Sequence, residues 1–456
     1  VTLSMSKHST KAGRSAQFAA PKVHLDEAGP ALTSQGGLAP VIQFLSHLGF
    51  RALFRQQVSH ERSANAVYSL VDAAVLVMIG LIGGARSLRQ CVALWSDQVL
   101  RRLAGWPRVP DETTLGRLFK AVRDRQVSEL ETLNHVLRQR VWARAARTGR
   151  SRIGIVTQKW IDVDSTVKTV YGRQEGVAKG YNPHKRGALS YHPLLAFCTA
   201  TKEIVQAWLR TGSAYTSNGI VAFMEQLCAQ FPAHQRLVLR ADSGFFDGAL
   251  LEFLEQRGHG YLIKVKRRNL ELLLAQQHWT PIRRQPGWEQ CEFTHQAHGW
   301  SCPRFFVAVR CPREDAADTL QTELLPVARY DAFCYVTSEP LSPWSAHRTY
   351  GQRATSETWI EEAKNQMGLA HLKTDHFLAN AALFQCAVLA YNTLRWMALL
   401  SGNTELHRWE PQSIRLHLIR VAGKLLTGAN QLRLKLVPPP LARKVWSDWL
   451  ALSEPG

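Results

Sequence analysis

The sequence predicts a mixed α/β protein: a sheet with helices on both faces, a β-rich insertion and an all-helical N-terminal domain. Three observations predict it. Apolar residues between Leu38 and about Arg150 recur at helical spacing. After Arg152 strand-like runs take over, in the order three strands, helix, strand, helix, strand. Further strand-like pieces between 267 and 335 interrupt that order before helical spacing returns at Ser356.

Residues 1–30 are polar, basic and Ser-rich and are expected to form a flexible arm without a secretory signal. In the helical domain, 31–150, Val41, Phe44, Leu45 and Leu48 mark one helix that Gly49 should end. Asp111 is the N-cap of another, whose apolar stripe is Leu115, Leu118, Phe119 and Val122. Val67–Ile82 is apolar but short for a membrane span and is expected to be a buried helix.

In the second domain, 151–266 with 336–400, Ile153–Val156 and Trp160–Val170 have strand character. Tyr191–Thr199 and Glu203–Arg210 follow as a strand pair around the turn Thr201-Lys202. A helix over Asn218–Gln230, capped by Ser217, leads to a strand at Arg236–Ala241, a helix at Gly248–Gln256 and a strand at Tyr261–Lys266. That order is the order of an RNase H-like domain, a mixed sheet with flanking helices. The insertion spans 267–335, with strands at Cys291–His295, Arg304–Arg310 and Phe333–Thr337. Residues 401–456 are read as a C-terminal helical region with possible dimer or DNA contacts, its tail set off by Pro438-Pro439-Pro440.

The 456 residues carry a net charge of +20 with a pI near 9.9. Self-repulsion of that size points to a polyanionic partner, nucleic acid ahead of an anionic membrane surface. Arg140, Arg144, Arg147 and Arg150 follow one another with no acid between them. Eight scattered cysteines suggest a reducing cytoplasm, and the Cys291, His295, His298, Cys302 group matches no common zinc spacing.

Three acidic positions carry chemistry. Asp162 and Asp164 lie in an apolar strand and point to one face; Asp164 is nearer its carboxyl end, where sites of open α/β sheets lie, and Asp162 is the alternative. Asp242 ends the strand Leu237–Ala241, where an Asx-turn or cap is the structural reading. In Tyr350-x-x-Arg353-x-x-x-Glu357-x6-Lys364, steps of three, four and seven put four polar residues on one helix face. Glu361 shares that face as a weaker alternative, and solvated ion pairs are the bland reading. Three carboxylates suffice to hold two divalent ions about 4 Å apart for phosphoryl transfer on DNA.

Tyr350, Arg353, Glu357 and Lys364 match the Y-R-E-K signature of a branch of DDE transposases from bacterial insertion sequences. The segments Asp164-Ser165-Thr166 and Arg240-Ala241-Asp242 resemble that family's first and second Asp regions, and the resemblance covers roughly residues 155–400. It implies an RNase H-like catalytic fold, a β-rich insertion between the second Asp and the Glu, and two Mg²⁺ or Mn²⁺ ions on Asp164, Asp242 and Glu357. It also implies cut-and-paste transposition: binding of terminal inverted repeats, a homodimer in the paired-end complex, release of 3′-hydroxyls and their joining to target DNA. Arg353 and Lys364 would hold phosphates beside the scissile bond, and Tyr350 a neighbouring one. In some relatives an aromatic residue of the insertion captures a flipped base; Trp279, Trp288 and Trp300 are the candidates here, with core packing the alternative for each.

The Gly-rich basic stretch Tyr171–Gly187 brings Arg173, Lys185 and Arg186 as candidate DNA contacts, against an ordinary loop. His192 is either a core histidine or a site residue. Two other functions stay open: a nuclease of the same fold without strand transfer, and a non-catalytic DNA-binding derivative. The expected setting is the bacterial cytoplasm, at the nucleoid, without a membrane.

Overall fold

The computed structural model describes residues 29–60, 67–154, 156–180, 182, 185–214, 217–266, 270–313, 330–371, 374–428 and 431–454. Most of the arm expected at 1–30 lies outside them, as do Tyr181, Pro183 and His184 of the basic loop. Helices then run from Leu38 to Arg147. Gly49, at φ +73°, follows the first helix and opens the next, Phe50–Gln57. Asp111 caps Glu112–Lys120 by accepting from the Thr114 amide at 2.7 Å. The apolar stretch forms α1, Leu70–Gly83, opened by a capping box between Ser69 and Asp72. Its residues other than Asp72 are buried, as an all-round apolar helix must be. Arg140, Arg144 and Arg147 of the basic run lie on α2, Asp124–Arg147, and Arg150 follows its end.

Among the described residues the sheet has nine strands: β1 Gln158–Ser165, β2 Leu194–Cys198, β3 Ile204–Trp208, β4 Arg236–Ala241, β5 Gly260–Lys264, β6 Thr280–Pro281, β7 Glu289–His295, β8 Arg304–Pro312 and β9 Tyr330–Thr337. Their order across the sheet is β6-β7-β8-β9-β5-β4-β1-β2-β3. β1, β4 and β5 run parallel, while β2 and β3 add antiparallel on one side. Helices α3, Ile220–Ala229, and α4, Gly248–Gln256, make the connections into β4 and β5. This is the mixed α/β order that the sequence predicts.

The β-rich insertion extends the same sheet. β9 pairs with β8 along its length and with β5 at Tyr335–Thr337. Beyond it, α5 Pro343–Gly351 and α6 Ala354–Glu361 lead through a π-helical turn, Glu362–Gln366, to α7 Phe377–Ser401. α7 is long and apolar enough to cross a membrane, but 89% of its apolar window is buried, packed on α1 and α2. One hydrophobic core runs through the N-terminal helices, the sheet and α7.

Four local expectations are corrected. Ile153, Gly154 and Val156 are not in a strand: Val156 N–H turns back to the Arg152 carbonyl, and β1 begins at Gln158. α3 opens at Gly219, φ +74°, without a side-chain cap from Ser217, whose carbonyl accepts from Ile220 instead. The basic stretch is not wholly loop, because Ala178–Lys179 joins Leu189–Tyr191 and Lys168–Thr169 in a small sheet. There Gly180 presses on the backbone: a Cβ would lie 2.1 Å from the Gly212 carbonyl oxygen. The C-terminal region holds a hairpin, Gly423–Gly428 with Gln431–Leu436, which also pairs with Leu32–Thr33. Its Leu432, Leu434 and Leu436 alternate at period two, the strand signal that a helical reading overrode.

Candidate active site

Asp162 and Asp164 project from one face of β1 into different surroundings. Asp162 is wholly buried opposite Arg240 of β4, the residue in register with it. Arg240 grips both carboxylate oxygens, Nε to Oδ1 at 2.6 Å and Nη2 to Oδ2 at 2.8 Å, and also donates to the Thr349 carbonyl. With both oxygens engaged in the interior, Asp162 is a structural ion pair. Asp164, two residues on, keeps 14% of its side chain exposed. Its Oδ1 accepts from the Ser165 amide at 2.8 Å and its Oδ2 from Arg353 Nη2 at 2.6 Å.

Asp242 stands directly after β4, beside the end of β1, since Val163 pairs with Ala241. It caps the short turn Ser243–Phe245 through Oδ1, which accepts from the Gly244 amide at 2.9 Å. Glu357 sits in the first turn of α6, 65% exposed, and accepts from Arg353 Nη1 at 3.1 Å. Arg353 is thus shared between Asp164 and Glu357. Burial pushes the Asp164 carboxyl up to about 7; Arg353 opposes this, and the charges of Asp242 and Glu357 add to it. Burial likewise pushes the Tyr350 phenol up to about 12, against Arg353 and with Asp242, Asp164 and Glu357. Five of the expected site residues therefore share one electrostatic neighbourhood.

The single helix face expected for the Tyr350–Lys364 segment is not realised. Tyr350 lies in the last turn of α5, the chain turns at Gln352, and Arg353 is the N-cap of α6. The π-helical turn then changes the residue-per-turn count, so Lys364 leaves that face. Burial lowers the Lys364 ammonium pKa, and Glu361 is the charge opposing that shift. Arg173, Lys185 and Arg186 are exposed on the basic loop, with no ion pair to the three acids among the described residues. Lys185 lies over the Tyr171 ring, 4.9 Å from its centroid. His192 is a core histidine: it is buried, its Nδ1 meets the Ala214 carbonyl at 2.5 Å, and burial lowers its pKa.

Two features escape sequence reasoning. One is Arg240 as the partner of Asp162; its signal is that Arg240 precedes Asp242 by two residues, as Asp162 precedes Asp164, which gives both strands one face. The other is a run of rings from the insertion to the acids. Trp288 lies against Phe333, Trp344 and His347, His347 bonds the Tyr335 hydroxyl, and Tyr335 packs on Tyr350 at 4.8 Å. By contrast, the Trp279 indole N–H is tied to the Leu274 carbonyl, and Trp300 packs on Phe306 under Arg304.

Among the described residues no three acidic, His or Cys side chains stand close enough together to hold a metal ion as they are. The donor chemistry nevertheless fits a hard divalent cation: Asp164, Asp242 and Glu357 offer only carboxylate oxygens, and two of them already face one cationic group.

A sequence profile of the family described as "Transposase DDE domain group 1" matches residues 15–450. No curated protein matches the chain. Among solved structures, a cryo-EM structure of a piggyBac transposase synaptic complex with hairpin DNA is similar at 12% identity and a TM-score of 0.38, over 82% of this chain and 81% of that one. At that level of superposition no conclusion about this chain rests on it.

Proposed function

The chain belongs to the DDE transposase family described as group 1, and from that premise we propose that it is a cut-and-paste transposase of a bacterial insertion sequence. It would act on DNA in the cytoplasm, at the nucleoid, cleaving at terminal inverted repeats and joining the freed ends to target DNA as a homodimer. The observation that carries this reading is the neighbourhood of Asp164, Asp242 and Glu357. Two acids stand at adjoining parallel strand ends, and the third shares Arg353 with the first.

Asp164, Asp242 and Glu357 would hold two Mg²⁺ or Mn²⁺ ions. Bound ions of this kind supply activation of the attacking oxygen and stabilisation of the leaving one. The buried pair of Asp162 with Arg240 favours Asp164 over Asp162 as the ligand. Arg353 bridges Asp164 and Glu357 and would be placed to turn a nitrogen to a phosphate oxygen. Tyr350 would orient a neighbouring phosphate from its place beside the acids. Lys364 would meet the strand further along, and Arg173, Lys185 and Arg186 would follow its backbone. For capture of a displaced base, the ring run ending at Tyr350 favours Trp288 over Trp279 and Trp300.

The test uses a duplex carrying the inverted repeats that flank the reading frame. D164N, D242N and E357Q should each abolish cleavage and strand transfer of a pre-cleaved end while leaving duplex affinity intact. Mg²⁺ should raise the melting temperature of the native protein and not that of D164N/D242N. Cleavage by D242N, or an unchanged Mg²⁺ response in the double variant, would remove the site. Cleavage without joining by the native protein would make it a nuclease.

A further inference from the structure

We propose that Arg86, Arg415 and Arg420 form a second phosphate site, one that holds a DNA backbone phosphate beyond Lys364. This rests on the reading of the chain as a DNA-acting enzyme. The three arginines line a cavity of about 260 Å³ together with Gly84, Asn365, Gln366 and Gln412, and no carboxylate among the described residues lines it. That volume lies below the roughly 300–1,000 Å³ of small-molecule sites and suits a compact anion.

The site is built from three distant parts of the chain. Arg415 is more than nine-tenths buried. Its Nε donates to the Ile82 carbonyl at 3.0 Å, and its Nη2 to the carbonyls of Leu81 at 3.1 Å and Gln366 at 2.8 Å. Those bonds cap the C-terminal end of α1 and pin the guanidinium in the cavity wall. Gly84 makes room for it: its φ is +105°, and a Cβ there would stand 3.0 Å from Arg415 Cδ and Nε. Capping explains Arg415. It does not explain Arg86 and Arg420, which are exposed, face the same cavity and make no ion pair among the described residues. Burial acts unfavourably on the charged Arg415, and the charges of Arg420 and Arg86 add to that. Three guanidiniums gathered without an acid repel one another; an anion between them reverses the sign.

The position gives the site its use. Asn365 and Gln366 belong to the π-helical turn that carries Lys364, so the cavity adjoins one of the cations assigned to the bound strand. A phosphate held here would fix the register of DNA leading away from the acids and carry no base information.

The experiment compares native protein, R86Q/R420Q and the control R55Q/R257Q on a labelled duplex of arbitrary sequence, across a salt series. Both pairs remove two exposed charges. If the site takes a backbone phosphate, R86Q/R420Q weakens binding and lowers the salt slope by about 0.9, while the control slope is unchanged. An equal loss in the control assigns the effect to net charge and overturns the proposal. Equal binding by native protein and R86Q/R420Q overturns it alone, leaving the enzymatic reading intact, whereas no duplex binding by native protein overturns both. A calorimetric titration with inorganic phosphate separates the sources. Phosphate binding lost in R86Q/R420Q without any loss of duplex affinity makes this a free-anion site and overturns the DNA assignment.

Discussion

Arg353 donates from Nη2 to Asp164 Oδ2 at 2.6 Å, joining the end of β1 to the start of α6 across 189 positions of sequence. Its Nη1 reaches Glu357 at 3.1 Å, so one side chain touches two of the three acids. Lysine offers a single ammonium on a flexible stem and cannot span both carboxylates in the same way. R353A is expected to lower single-turnover cleavage by roughly 100- to 1,000-fold, the range for losing one preorganised charged donor. R353K should recover little of that. Full activity in R353K would show that charge alone, not the two-pronged geometry, is needed.

Asp162 and Asp164 are expected to separate by stability. Asp162→Asn leaves Arg240, 3% exposed, without a counter-charge, and is expected to destabilise the fold by about 3–5 kcal/mol in urea denaturation. Asp164→Asn, 14% exposed at the end of β1, should change stability far less while removing cleavage. If the two variants exchanged these phenotypes, the ligand assignment would move to Asp162.

Glu131 on α2 sets a pH dependence away from the active site. Burial, with the charge of Asp124 adding to it, pushes its carboxyl up to about 8 from an ordinary 4.5. The unfolded chain therefore loses this proton first, and stability falls as pH rises from about 4.5 to about 8. E131Q removes that slope: it should melt above the native protein at pH 8.5 and alongside it at pH 4. Parallel melting profiles across that window would refute the assignment.

Trp288 and Trp300 should divide function from folding. Trp300 packs on Phe306 beneath Arg304, and W300A is expected to destabilise the protein toward the lower end of about 3–5 kcal/mol. W288A should be milder in melting and reduce the fluorescence change of a 2-aminopurine placed at the element's end. An unchanged signal in W288A would leave the ring run as packing alone.

How much of this was legible in the sequence follows from range. β4 and α4 span the residues their apolar spacing predicts, because period and turn signals act over neighbouring positions. The order of the strands was legible for the same reason. The continuous face from Tyr350 to Lys364 was not, because a break at Gln352 and a π-helical turn are decided by packing, not spacing.

By itself, then, the sequence determined the mixed α/β class, the basic charge, and which acids, cations and rings could carry chemistry. Only the tertiary structure decided their partners. It gave Asp162 to Arg240 and Arg353 to Asp164, led Trp288 through His347 and Tyr335 to Tyr350, and gathered Arg86, Arg415 and Arg420 around one cavity. Those pairings are long-range: which buried charge meets which depends on strand register and helix packing that no local pattern encodes.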